Sequence, residues 1–440
     1  MKTLTIQSLA ASGHGIAQNG WHVLGVFPGD VVKVQQYKYA DGITYAEIVE
    51  ILEPSEHRTH TPATSPYFDP NAPWQHLDIA QENTEKLNIV QETFNEYAFT
   101  EIESDILKPG ELSDHYRNKA AYAFTEDKKN KLSFALFTRG VSKSGKVSQE
   151  ENILVHPMIN KIGKQFLHFF NQRNIPVREL KYLTLRYSYH TDTVVAQILV
   201  PETNRKKLPW KKSELETFQN QHPKLQGIIV SHSDFGTRSA ATNKDFYVTG
   251  DVVIIEKILG KEYKYHPSQF FQIYPDAFAQ ILSDCEEIIK NIPNHKNYEL
   301  LDFFAGIGII GLHVSGLVKN VHGVEQSPMA KIYANKNVVL SNVENFTFTE
   351  ANVDEALAHI KSEQILVVDP ARSGVTKKSL EKINEIQPEY IIYISCNPET
   401  QAQDFYELKN NYNIEWSRAY NLFPKTPHVE HVILLKRKNA

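Results

Sequence analysis

Cysteine is nearly absent from this chain: Cys285 and Cys396 are the only two in 440 residues, and they stand 111 positions apart. Two thiols cannot build a disulfide framework or a four-cysteine metal site, and such scarcity fits a reducing compartment, so a cytoplasmic protein with no metal centre is expected. Long apolar runs are missing too, which excludes a membrane-spanning helix. The first residues, MKTLTIQSLAASGHG, hold no sustained apolar core, so no signal peptide is read there. A net positive charge is also lacking: the formal balance of −5 argues against general attraction to polyanions. What the chain does have is length, and 440 residues are too many for one ordinary core, so two or three domains are expected.

The average charge hides a polarity. From Arg117 to Lys212 there are 19 Lys and Arg against 7 Asp and Glu, a balance of +12 that leaves the rest of the chain at −17. A basic segment of domain size suggests a localised polyanion surface, with scattered solvated lysines as the bland alternative.

Residues 2 to 53 carry short β-like runs, LTIQSL, GIAQ, HVLGVF, VVKVQQY and ITYAEIVEIL, punctuated at Ser12-Gly13, Asn19-Gly20, Pro28-Gly29-Asp30 and Asp41-Gly42. Five such strands predict a small barrel of oligonucleotide-binding type over 1–58. Residues 59–110 read as a linker followed by a helical segment, whose pattern includes Leu77, Ile79, Leu87, Ile89 and Val90. Alternating runs LSFALFTR, YLTLRYSY and VVAQILV make 111–255 an α+β unit, in which alternate arginines such as Arg186 would project together and suit phosphate contacts. Over 256–440 strands alternate with helices and end in an antiparallel pair, which predicts a doubly wound α/β sheet with its functional residues at the carboxyl ends of strands.

Within that sheet, ELLDFFAGIGIIGLHVSGLVKNVHGVE reads as strand, tight turn, helix and second strand. Gly306 and Gly308 let the backbone approach a ligand, and Glu325, 23 residues after Asp302, can accept hydrogen bonds from a ribose. Two more candidates stand at strand ends. Asp369, in VVDPARSG, either caps the next helix or accepts a bond from a ligand. Cys396, in YISCNPET, precedes a helix start whose amides and dipole would lower a thiol pKa and favour a nucleophilic thiolate; packing is the other reading. Cys285, at amphipathic spacing in AFAQILSDCEEIIK, is assigned to packing. Glu430 opens a strongly apolar last strand, either as a strand edge or as a proton-handling group.

The ordered set HPSQFFQIYP, LLDFFAGIGIIGL, GVEQSPMA, VVDPARSG, YISCNPET and FPKTPHVEHVILL resembles the RNA uracil C5 methyltransferases, which make 5-methyluridine in tRNA and 23S rRNA with S-adenosylmethionine. The N-terminal layout is similar to the TRAM domain, a small RNA-associated barrel. The resemblance implies a Rossmann-like methyltransferase domain. It implies that Gln272, Phe304, Gly306, Glu325 and Asp369 bind the cofactor or border the target base, that Cys396 is the nucleophile and that Glu430 is the general base. It implies RNA as partner, rRNA before tRNA, and the chain is expected to act as a monomer. Departures are visible: no cysteine lies near PYFDPNAPWQHLDI, so no iron–sulfur cluster is expected, Phe304-Ala305 replaces a more frequent aromatic-Cys pair, Ile309 replaces a polar residue, and DPAR replaces DPPR.

Overall fold

The glycine-punctuated N-terminal strands close on themselves in the computed structural model, which describes residues 1–440 except 62–68, 108–111, 139–144, 150, 202–207, 234–243 and 439–440. Strands β1 (Lys2–Leu9), β2 (Gly15–Ala17), β3 (His22–Val23), β4 (Val31–Ala40) and β5 (Ile43–Glu53) form a closed barrel in the order β1-β2-β3-β5-β4. Period-two alternation fills its interior with Leu4, Ile6, Val23, Val32, Val34 and Ala46. The Pro-Gly-Asp turn closes one end. Buried Asp30 accepts from the amides of Phe27 (2.7 Å) and Ser55 (2.8 Å) and pairs with the Arg58 guanidinium at 2.5 Å, so the chain leaving the barrel is tied back to it.

Helix α1 (Ile79–Thr93) starts at Asp78, whose side chain accepts from the Gln81 amide. A short strand β6 (Asp105–Leu107) follows. The basic middle then builds a seven-stranded, mostly antiparallel sheet from β7 (Lys119–Glu126), β8 (Leu132–Thr138), β9 (Gly145–Gln149), β10 (Tyr182–Ser188), β11 (Thr193–Pro201), β12 (Leu225–Ser233) and β13 (Lys244–Gly250). Helices α2 (Pro157–Gln172) and α3 (Lys212–Asn220) cover one face, with Phe166, Phe170 and Phe218 packed on Leu183, Leu185 and Ile198. Lys128, Lys129, Lys131, Lys161, Lys164 and Lys211 stay exposed. Arg139, Lys143, Arg205, Lys206 and Lys207, part of the same basic stretch, lie outside the described residues.

Arg186 corrects the sequence reading. Instead of projecting toward solvent it is 2% exposed, and its guanidinium donates to the carbonyls of Pro267 (2.9 Å) and Gln269 (2.5 Å). The second face of the sheet is covered by the HPSQFFQ stretch, so this arginine holds a loop and not a phosphate.

A hairpin of β14 (Ile254–Ile258) and β15 (Lys261–Tyr265) leads into α4 (Pro275–Asn291). From there strands and helices alternate: β16 (Glu299–Phe303), α5 (Ile309–Val314), β17 (Asn320–Glu325), α6 (Pro328–Leu340), β18 (Phe346–Glu350), β19 (Gln364–Val368), α7 (Lys377–Ile386), β20 (Tyr390–Ser395), α8 (Pro398–Leu408), β21 (Tyr412–Tyr420) and β22 (Glu430–Arg437). The sheet order is β18-β17-β16-β19-β20-β22-β21-β6, parallel from β18 to β20 and antiparallel through β22 and β21. The central strands β16, β19 and β20 are buried on both faces and therefore read as nearly continuous apolar runs. Leu300, Ile365, Val367 and Ile392 face α4, α5 and α6, while Leu301, Leu366, Val368 and Ile391 face α1, α7 and α8. Cys285 lies fully buried among the first set, where burial drives its thiol pKa up, in keeping with a packing role.

Candidate active site

All the parallel strands end at one edge of the sheet, and the antiparallel strand β22 begins there. The sequence candidates therefore meet along this edge in strand order: Glu325 from β17, the Phe304–Gly308 turn from β16, Asp369 from β19, Cys396 from β20 and Glu430 from β22. The last paired residues of β20 and β22 are Ser395 and His431, and one step further the register sets Cys396 opposite Glu430.

At the turn, Phe304 has φ of 63°, a left-handed conformation unusual for a bulky residue. It lets the chain reverse, so that the Gly306 amide points at Glu325 Oε2 (3.4 Å). A Cβ on Gly306 would meet nothing within 4 Å, which leaves open space beside the turn. Under it, Asp302 is fully buried. Its Oδ2 accepts from the Gly311 amide (3.1 Å), while Oδ1 has no partner among the described residues. Open space next to an orphaned buried acceptor is what a polar ligand would complete. Ile309 is 8% exposed and packs into the core, so at this position an apolar side chain serves the fold.

The loop that carries Gln272 is tied to the edge through Gln269. Asn118 Nδ2 donates to the Gln272 carbonyl (3.0 Å), Arg186 holds Pro267 and Gln269, and Ser327 Oγ donates to Gln269 Oε1 (3.2 Å), joining the loop to the residues after Glu325. Glu325 Oε1 accepts from the Ser327 amide at 3.1 Å. Asp369 does not cap α7. That role belongs to Thr376, whose hydroxyl accepts from the Ser379 amide (3.2 Å).

The electrostatics depart from the sequence expectation. Burial, then the carboxylates of Glu430 and Asp369, push the Cys396 thiol up to about 11, with Arg372 opposing. The helix start after Cys396 does not offset these three contributions, so the thiol is not lowered in the free protein. Glu430 is 4% exposed; burial and the neighbouring Asp369 raise it well above the usual carboxylate range, again against Arg372. Burial raises Asp369 to about 7, and burial with Asp369 and Glu325 raises Asp302 to about 7. Three carboxyls whose proton affinities are raised by burial thus gather at one strand edge, which makes this cluster the candidate for proton handling.

A family model described as tRNA (uracil-5-)-methyltransferase matches residues 78–438. The chain belongs to that family. It is thus an RNA (uracil-5-)-methyltransferase, and the strand-edge cluster is its candidate catalytic centre. An uncharacterized RNA methyltransferase of Caldanaerobacter subterraneus is 28% identical over 454 residues, covering 99% of this chain and 98% of that protein. One from Thermotoga maritima is 25% identical, covering 99% of each. The structure of Pyrococcus abyssi tRNA (uracil-54, C5)-methyltransferase in complex with S-adenosyl-L-homocysteine matches with a TM-score of 0.78 at 21% identity, covering 99% of this chain and 100% of that one, which shows a shared fold.

Sequence reasoning missed four residues of this methyltransferase. Arg372, exposed in the DPAR loop, lowers the proton affinity of Cys396, Glu430 and His428 together. Asn397 donates from Nδ2 to the Arg372 carbonyl (2.9 Å), and Thr400 Oγ1 donates to the same oxygen (3.3 Å), which locks the DPAR and SCNPET loops together. Phe270 is 68% exposed between Gln269 and buried Phe271. A large exposed aromatic on a clamped loop was detectable as FFQ, where one ring packs and the other does not.

Proposed function

We propose that this RNA methyltransferase uses S-adenosylmethionine to form 5-methyluridine through a covalent Cys396 adduct, with 23S rRNA as the substrate. The observation that carries the reading is the register that opposes Cys396 and Glu430 across β20 and β22. The tRNA T-loop uridine is the second reading. It draws on the family's name and on the Pyrococcus abyssi protein, whose match runs through the barrel-bearing part of this chain.

S-adenosylmethionine, when bound, supplies an electrophilic methyl group on a cationic sulfur. Gln272, Phe304, Gly306, Glu325 and Asp369 would hold it, and the open space at Gly306 and the unpartnered Asp302 oxygen fit such a ligand. Glu325 would accept from the ribose. Carbon 5 of uracil is too weak a nucleophile to be methylated directly. Cys396 Sγ adds to carbon 6, and the electron pair of the double bond moves onto carbon 5 and its carbonyl, where it can take the methyl group. The Glu430 carboxylate then removes the carbon 5 proton, the double bond re-forms, the carbon–sulfur bond breaks and the thiolate is regenerated. A raised proton affinity makes Glu430 the stronger base once it is ionised. Arg372 favours the charged forms of both groups.

The target base has to leave its stack, at roughly a few kcal/mol. The exposed lysines of the middle sheet and the TRAM-like barrel would hold the flanking RNA. In this reading the chain works as a cytoplasmic monomer divided into 1–58, 59–110, 111–255 and 256–440, the last a Rossmann-like unit. RNA tritiated at uridine carbon 5 tests the chemistry: the protein with S-adenosylmethionine should release tritium, Cys396→Ala should not, and Cys285→Ala should. Release by Cys396→Ala at the unaltered rate would sink the covalent mechanism. Mapping 5-methyluridine in rRNA and tRNA with and without the protein separates the two substrates.

A further inference from the structure

A second buried polar cluster sits behind the catalytic edge. Glu82 and Lys86, one turn apart on α1, are both fully buried and ion-paired at 2.7 Å. Their other side-chain bonds end on the segment that runs from β21 to Glu430. Lys86 Nζ donates to Asn421 Oδ1 (2.6 Å) and to the Phe423 carbonyl (3.0 Å). Glu82 accepts from Asn421 Nδ2 (2.9 Å) and from the Lys425 amide (2.9 Å), and Asn83 Oδ1 accepts from Asn421 Nδ2 at 2.8 Å.

The same segment is held from other sides. The Trp74 amide donates to the Lys425 carbonyl (3.1 Å), and the Tyr116 hydroxyl donates to the Pro424 carbonyl (3.1 Å). Gly13 of the barrel lies against Pro427, where a Cβ would come within 3.1 Å of the ring. Lys425 has φ of 64°, a conformation that persists in a lysine when its surroundings enforce it. A buried ion pair is a poor source of stability, because apolar residues of similar volume pack a helix equally well. Its directional bonds do fix a backbone path. Here they fix it five residues before Glu430.

We propose that Glu82 and Lys86 are positioning residues for Glu430: they set the path of residues 421–425 and hence the approach of the carboxylate to the carbon 5 proton. Cys396 is positioned separately, by β20 and by the Asn397 bond to the Arg372 carbonyl. This role presupposes the covalent reaction with Glu430 as base. It makes proton removal depend on α1 while addition to carbon 6 does not.

RNA carrying 5-fluorouridine separates the two steps. After addition and methylation its fluorine cannot leave as a proton, so the protein–RNA complex stays covalent whatever the base does. With S-adenosylmethionine present, Lys86→Met and the double variant E82L/K86M should trap this RNA at the unaltered rate. On uridine RNA they should release tritium about 100-fold more slowly, the scale of a small misplacement, and accumulate adduct on denaturing gels. The double variant leaves no unpaired buried charge and carries the test if Lys86→Met does not fold. Slowing of trapping and tritium release by the same factor in the double variant, or of neither, overturns the proposal. Failure of the unaltered protein to trap the fluorinated RNA would remove the covalent reading itself, and this role with it.

Discussion

Glu430 and Cys396 each stand one residue beyond the Ser395–His431 pair that ends the β20–β22 ladder, and the Glu430 carboxylate raises the proton affinity of the thiol. Burial and Asp369 raise the carboxyl in turn, so both groups are held protonated in the free protein. The pair can therefore be separated by substitution, one step at a time.

Glu430→Gln should stall the reaction after addition. Turnover is expected to fall by about 10²- to 10⁴-fold, the usual range for loss of a general base, while a protein–RNA adduct builds up on denaturing gels with uridine RNA. Intact RNA binding with no adduct at any time would assign the base elsewhere.

Arg372 is the cation that lowers both groups, so Arg372→Met should raise them further. The trapping rate on 5-fluorouridine RNA at neutral pH should drop, and its rise with pH should move to higher pH; Arg372→Lys should keep most of the native profile. Superimposable profiles for Met and Arg would leave the charge without a role.

Asp302 carries a stability signature. Its folded pKa of about 7 lies above the unfolded value of 3.8, so the folded state binds the extra proton and the contribution is fully present below pH 3.8. It is lost as pH rises through 7, a loss on the order of a few kcal/mol for a buried carboxyl. Asp302→Asn should thus gain melting temperature relative to the unaltered protein as pH rises from 5 to 8. A pH-independent difference would contradict the assignment.

Phe270 presents an exposed ring on a loop that Arg186 and Asn118 hold rigid. Stacking of a base on such a ring contributes about 1–3 kcal/mol, so Phe270→Ala should raise KM for RNA by roughly 5- to 150-fold and leave the melting temperature unchanged, with Phe270→Tyr near native. An unaltered KM would mean that the ring faces no nucleotide.

The catalytic edge is legible in sequence because each of its residues is local to a strand end: DPAR, SCNPET and the glycine turn announce themselves within a few positions. The thiol's proton affinity is not legible in the same way. The helix start that would lower it is adjacent in sequence, whereas the carboxylates that raise it come from 27 positions before and 34 after. Arg186 misleads because alternation tells which residues share a face and not what covers that face. Helix α1 misleads similarly. Ile79 is exposed, while Glu82, Asn83 and Lys86 are buried, because their partners lie more than 300 residues away.

That separation has a kinetic consequence. Lys86 and Asn421 are 335 positions apart, so the bond between them closes about three quarters of the 440-residue chain into a loop, and contacts of such long range form late. On refolding, the sheet and its helices should regain their circular-dichroism signal first. Proton removal at carbon 5 should return only when the two ends of the chain have met.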